Sequence, residues 1–166
     1  MRNKLIWTGL VLLLLVMGFG GSLFLKPTKI APDVTFKTIT GKQIPLKALK
    51  GKPVIVTFWA TDCRSCIKEI PHLIALYQQF HQQGLEIIAV TMAYNPPNLV
   101  VDMAEARQIP YHVALDLRSR LAKAFGGVSL IPHTFLISPD GRIALNQLGL
   151  FDLEKIKKQI ENYFTG

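Results

Sequence analysis

Residues 54–71 read Val54-Ile55-Val56-Thr57-Phe58-Trp59-Ala60-Thr61-Asp62-Cys63-Arg64-Ser65-Cys66-Ile67-Lys68-Glu69-Ile70-Pro71. The first third, Val54 to Trp59, is a continuous apolar and largely β-branched run, the pattern of a strand buried on both faces. From Cys66 onward the period changes. Cys66, Ile70, Leu73, Ile74, Tyr77 and Phe80 recur at three- and four-residue steps, which predicts an amphipathic helix. Gly84 ends it. The only two cysteines of the chain therefore lie where a buried strand runs into a helix.

That placement has chemical consequences. The first turn of a helix carries unpaired N–H groups and a partial positive charge. Both stabilise a thiolate at Cys63, and the thiolate is the nucleophile of disulfide exchange. Cys66, one turn further in, is placed to attack a mixed disulfide. A C-x-x-C pair in a βαβ setting is the sequence sign of a redox dithiol. Three other readings compete. A structural disulfide across so short a loop removes little unfolded-state entropy. Zinc needs two more ligands, yet there is no second C-x-x-C, and His72 and His81 stand nine residues apart. Cu(I) suits two thiolates better, which keeps a copper carrier open as an alternative function.

Outward from this segment the chain alternates between strand and helix signals. Val34 to Phe36 reads as a short strand and Thr40-Gly41-Lys42 as a turn. Ile44 to Leu49 returns to the core, and Lys50 to Pro53 turns again. Leu85 to Val90 is a second buried strand, followed by a helix from Pro96-Pro97-Asn98 to about Arg107. Tyr111 to Leu115 is strand-like and Ser119 to Phe125 a short helix. His133 to Ser138 and Arg142 to Gln147 flank the turn Pro139-Asp140-Gly141 as a hairpin. Asp152 caps a last helix carrying Ile156, Ile160 and Phe164. The order predicts an α/β domain with helices flanking a central mixed sheet, its strand–helix–strand part parallel and its closing hairpin antiparallel.

The N-terminus differs in kind. Residues 5–25 contain no charged side chain across 21 positions, and an apolar helix of about 20 residues crosses a bilayer. Arg2 and Lys4 precede the run, which favours a cytoplasmic start. The small residues Gly18 to Ser22 also permit a cleaved signal peptide, although the apolar run continues through Leu25. Residues 1–30 are thus expected to form a transmembrane signal-anchor and linker, and residues 31–166 one domain. Single-pass attachment to the cell membrane, with the domain on the extracytoplasmic side, follows from this reading. Of the 19 basic residues behind the net charge of +8, Arg2, Lys4, Lys26 and Lys29 flank the apolar run, which leaves 15 against 11 acids. The remainder are scattered, as on a solvated surface, and predict no nucleic-acid partner.

The segment Phe58 to Pro71 resembles the active-site stretch of the TlpA/ResA-like branch of the thioredoxin superfamily, whose pattern is F-W-A-x-W-C-x-x-C-x-x-E-x-P. The lead-in Gly51 to Val56 is similar too. So are Phe125-Gly126 with Val128, the stretch Ile131-Pro132-His133-Thr134-Phe135-Leu136-Ile137, and the hairpin Pro139 to Ile143. The resemblance covers about residues 31–166 and implies a thioredoxin-like fold. It implies that Cys63 and Cys66 form the redox disulfide and that Glu69 tunes their protonation. Pro132 would be a cis-proline packed beside the pair. The backbone at Ile131 would then hold a client segment, and Trp59 would pack near the site. Tyr94 to Asp116 resembles the strand–helix insertion that separates this branch from plain thioredoxin. The implied activity is protein disulfide reduction outside the cytoplasm, with apocytochrome c or copper-site thiols as clients and a membrane protein as electron donor. No organic cofactor or bound metal is needed. A disulfide-forming oxidant is the same chemistry run backwards.

Four positions depart from the family pattern. Asp62 stands in place of Trp and opposes thiolate formation at Cys63, while Arg64 offsets it. Thr57 occupies the place of thioredoxin's buried acid, which leaves Glu69 as the evident proton acceptor. Leu130 replaces Gly. His133 replaces Thr and brings an imidazole that could titrate near the sulfurs or bind metal. A peroxidase reading fails on context, because Ala60-Thr61-Asp62 lacks the Pro and Thr of P-x-x-x-T-x-x-C.

Overall fold

Strand β3 (Val54–Trp59) is buried at all six positions and forms the middle of a five-stranded sheet. The computed structural model describes residues 29–165; the expected membrane anchor lies outside them. Among the described residues no helix is long and apolar enough to cross a membrane. The other strands are β4 (Glu86–Thr91), β5 (His112–Leu115), β6 (His133–Ile137) and β7 (Ile143–Leu148), in the order β5-β4-β3-β6-β7. Pairs β3/β4 and β4/β5 are parallel, and β6 is antiparallel to both β3 and β7. The sheet is mixed, as expected, with two of its four pairings antiparallel. The short strands β1 (Thr35–Lys37) and β2 (Gln43–Pro45) pair only with each other, as a separate antiparallel ribbon.

Side chains alternate across a strand, and here both faces are covered. Ile55 and Trp59 point into one core, with Ile87, Ala89 and Leu136. Val54, Val56 and Phe58 point into the other, with Ile88, Val90 and Phe135. This is why β3 reads as an unbroken apolar run. The first core is closed by α1 (Arg64–Phe80), α2 (Pro97–Ala106) and α4 (Leu153–Thr165), through residues such as Leu73, Val100 and Ile160. The second is closed by α3 (Arg120–Ala124), the Phe36 ribbon and the one-turn 3-10 helix Leu46–Leu49. Helix α1 bears Cys66, Glu69, Ile70, Leu73, Leu76 and Phe80 as its buried stripe. It gives way to a 3-10 turn at His81–Gln83, which Gly84 terminates in a left-handed conformation at φ 118° that suits glycine.

The sheet has two distinct ends. Phe58 pairs with His133, and His133 with Leu148. The carboxyl ends of β3, β4, β5 and β7 and the amino end of β6 therefore lie together. Cys63 follows β3 at this end, and Pro132 precedes β6 there. The N-terminal segment is held at the opposite end. The Ala31 N–H donates to the Gly141 carbonyl at 3.0 Å, and the Ile143 N–H to the Lys29 carbonyl at 2.8 Å. Lys52 and Glu86 form an ion pair there at 3.0 Å.

Candidate active site

Cys63 is the N-cap residue of α1, with extended backbone at φ −87° and ψ 100°. Its Sγ accepts the Cys66 N–H at 3.2 Å, and Ser65 Oγ lies 3.4 Å away. The sulfur thus occupies the place of a capping oxygen and satisfies one of the helix's free donors. Cys63 and Cys66 are joined by a disulfide with an S–S distance of 2.10 Å. The two sulfurs differ in access. Cys63 is partly exposed, whereas Cys66 is 3% exposed. Cys63 is therefore the sulfur open to solvent, and Cys66 the sheltered one.

Glu69 lies one turn beyond Cys66 and is fully buried. Its Oε1 accepts the backbone N–H of Phe151 at 2.9 Å. Burial disfavours the carboxylate and pushes its pKa up to about 7, against a smaller lowering from the Phe151 hydrogen bond. Cys66, Glu69, Trp59, Thr57 and Tyr111 line one small cavity of about 10 Å³, the lower limit for a single water. Burial, and secondarily the charge of Glu69, raise the Tyr111 phenol. Trp59 is 4% exposed, and among the described residues its Nε1 is the buried side-chain polar atom without a hydrogen-bond partner. Trp59 therefore belongs to the core beside Cys66 rather than to the surface.

The Ile131–Pro132 peptide bond is cis. Pro132 is buried and Ile131 half-buried, and the Pro132 carbonyl accepts the Gly149 N–H at 2.8 Å. His133 begins β6. Its ring stacks on Phe135 with centroids 4.7 Å apart, and its Nε2 lies 2.6 Å from Asn146 Oδ1. Thr57, in the place of a buried acid, forms a 2.9 Å hydrogen bond with Thr134 across the β3/β6 pair. Asp62 is exposed.

Two residues of the site were not anticipated. Asn95 is 3% exposed, and its Oδ1 accepts both the Thr61 N–H at 2.8 Å and the Thr61 hydroxyl at 2.9 Å. It clamps the loop between β4 and α2 onto the loop that carries Cys63. Phe151 supplies the partner of Glu69. Asn95 stands before Pro96-Pro97, where sequence signals a turn and nothing more; Phe151 has no local signal at all.

A model described as the AhpC/TSA family matches residues 27–146. The ResA thiol–disulfide oxidoreductase of Bacillus thuringiensis subsp. konkukian is 33% identical over 171 residues, spanning 98% of this chain and 95% of that one. The chain belongs to the ResA/TlpA-like thiol–disulfide oxidoreductases. Its ResA relative from Bacillus subtilis is 33% identical over 150 residues, covering 86% of this chain and 83% of that one. Among solved structures, a thiol:disulfide interchange protein of the thioredoxin family from Chlorobium tepidum superposes with a TM-score of 0.75 at 25% identity. That match covers 82% of this chain and 97% of the other. The fold of this family member is thioredoxin-like, and its activity is protein thiol–disulfide exchange.

Proposed function

We propose that the chain is a membrane-tethered reductant of disulfides in exported client proteins. The observation that carries the exchange chemistry is the split access of the Cys pair, with Cys63 open at a helix N-terminus and Cys66 buried beside Glu69. In the reduced state the Cys63 thiolate attacks a client disulfide. A new S–S bond forms to Cys63, and the client's second sulfur leaves as a thiolate. Cys66 then gives up its proton and attacks Cys63 Sγ. The client's remaining sulfur departs, the client gains two electrons, and Cys63–Cys66 is left oxidised. Glu69, with a pKa near 7 in the same cavity as Cys66, is suited to take that proton. Trp59 holds the inner wall, and Ile131 with Pro132 offers backbone to the client beside the sulfurs.

Glu69 supports the reducing direction. A strong oxidant is one whose reduced form is stabilised. Here the carboxyl of Glu69, buried in the cavity that Cys66 also lines, works against thiolate at Cys66. The uncharged run at residues 5–25 supports a single transmembrane anchor with the domain on the extracytoplasmic side. A membrane protein there would return electrons to Cys63–Cys66. Apocytochrome c and copper-site proteins are the client classes. Reduction of a disulfide-bonded apocytochrome c peptide by the reduced full chain tests this reading. Turnover at a rate no greater than that of free dithiothreitol would count against it.

A further inference from the structure

The chain enters the fold at the end of the sheet away from the sulfurs. Lys29 and Ala31 are hydrogen-bonded to Ile143 and Gly141, at the start of β7. Upstream, only Lys26, Pro27 and Thr28 separate Lys29 from Leu25, the last residue of the uncharged run. A fully extended chain gains at most about 3.6 Å per residue, so on the tether reading Lys29 lies within about 14 Å of the point where that run leaves the hydrocarbon. The headgroup layer is itself about 5–8 Å deep. The surface around Lys29 is therefore held at the lipid headgroups. Strand β7 is six residues long, so its other end, beside the sulfurs, is about 17 Å further along the sheet.

That surface combines an apolar cleft with ammonium groups. Ile30 is 69% exposed, the most of any large apolar side chain described. It opens a cleft of about 200 Å³ whose walls include Pro32, Leu46 and Leu49. Lys47, Lys50 and Lys52 line the same cleft and are all exposed. Two acids here are already matched, Glu86 by Lys52 at 3.0 Å and Asp140 by Arg142 at 3.2 Å. Lys47 and Lys50 have no acidic partner among the described residues. With the two pairs set aside, Lys29, Lys47 and Lys50 stand against Asp33 alone. We propose that this cleft seats an anionic phospholipid of the bilayer that holds the chain. Its phosphate meets the ammoniums of Lys47 and Lys50, and the first carbons of its chains lie along Ile30 and Leu49. Lysine suits this position, because its stem covers apolar surface while its head reaches charge. A basic pocket within a Debye length of anionic headgroups feels their field, whereas the cation of a choline headgroup opposes the same lysines. The inference rests on the tether reading and adds an orientation to it. The Cys63 end points away from the bilayer, and an electron donor has to present its dithiol on a part that stands clear of the headgroups.

The test compares the full chain in nanodiscs of phosphatidylcholine alone and of phosphatidylcholine mixed with phosphatidylglycerol, by amide hydrogen exchange. The amides of Lys50 and Lys52, which donate to the Lys47 and Leu49 carbonyls, report the cleft. Those of Cys66 and Gly149 report the sulfur end. Exchange at the cleft is expected to slow by on the order of tenfold in the anionic discs, with no change at the sulfur end. Lys47→Gln combined with Lys50→Gln should abolish the difference between the two lipids, and Lys47→Arg with Lys50→Arg should keep it. Disulfide reduction by both variants should stay at the wild-type rate. Equal exchange in the two lipids overturns the proposal even where reduction is normal. Slowing at Cys66 and Gly149 instead lays the sulfur end on the bilayer and also overturns it. Slowing produced in phosphatidylcholine discs by added glycerol 1-phosphate makes the ligand a free phosphate ester, which overturns the lipid source. A full chain that does not co-purify with the discs overturns the tether reading itself, and this proposal with it.

Discussion

Glu69 Oε1 accepts the backbone N–H of Phe151 at 2.9 Å, and so ties the helix that carries Cys66 to the segment just after the last strand. The carboxyl is buried, and the partner that stabilises its charge is a single backbone amide. Burial wins over that hydrogen bond and sets its pKa near 7. The stability of the oxidised protein and the rate of its chemistry should both report this group.

Stability comes first. Below pH 4.5 the carboxyl is protonated in both folded and unfolded chains. Between 4.5 and about 7 the unfolded chain releases the proton and the folded chain keeps it. Stability therefore falls as pH rises through that window and levels off above it, by on the order of 3 kcal/mol in total. Glu69→Gln should flatten this slope and leave the oxidised variant more stable than wild type at pH 8. Urea denaturation at a series of pH values measures it; an unchanged slope in the variant would show that Glu69 is not the group responsible.

The same substitution should slow the chemistry. Release of the client needs the Cys66 proton to leave, and ionised Glu69 is the acceptor in reach. Wild-type resolution of the mixed disulfide should speed up as pH rises through about 7. Glu69→Gln should lose that inflection and run on the order of a hundredfold slower at neutral pH. Single-turnover kinetics read both. A variant with the wild-type profile would assign the proton to another group.

The order of attack is separately testable. Cys66→Ser should accumulate a stable mixed disulfide between Cys63 and a client, because the resolving thiol is gone. Cys63→Ser should accumulate none, because Cys66 is only 3% exposed. Non-reducing gels followed by peptide mapping distinguish them. Adducts on Cys66 in the second variant would reverse the assigned roles.

How far the sequence discloses this site depends on the range of the interaction. Strand β3 is legible because both faces are covered, so six consecutive residues had to be apolar or small. Helix α1 is legible from its spacing, and the same spacing places Glu69 on the buried stripe, three residues after Cys66 and four before Leu73. Helical periodicity alone therefore carried a signal for its burial. Strand ends were less legible. The expected strand from Leu85 runs instead from Glu86, whose carboxylate is paired with Lys52 from another loop. Arg142, expected in β7, instead bridges to Ile30. Phe151 and Asn95 were illegible because each acts through a partner 82 or 34 residues away, and no local pattern encodes such a pairing.

Asn95 gives the fourth prediction. Its Oδ1 satisfies two donors of Thr61, so Asn95→Ala leaves them without that acceptor in a half-buried loop. The loss should be about 1–3 kcal/mol in unfolding free energy, with greater exchange of the Thr61 to Cys63 amides. Asn95→Asp keeps the acceptor and should retain most of the stability. Chemical denaturation with amide hydrogen exchange checks this, and a change in Asn95→Ala below about 0.5 kcal/mol would mean the clamp is not needed.

The direction of electron flow is the central claim, and the reduction potential of Cys63–Cys66 in the full chain tests it most directly. Equilibration against dithiothreitol or glutathione buffers, with the thiols counted by mass after alkylation, gives that potential. The account predicts a value below about −230 mV, in the range of a reductant that needs an electron supply. A value near about −120 mV, that of a disulfide donor, would contradict it.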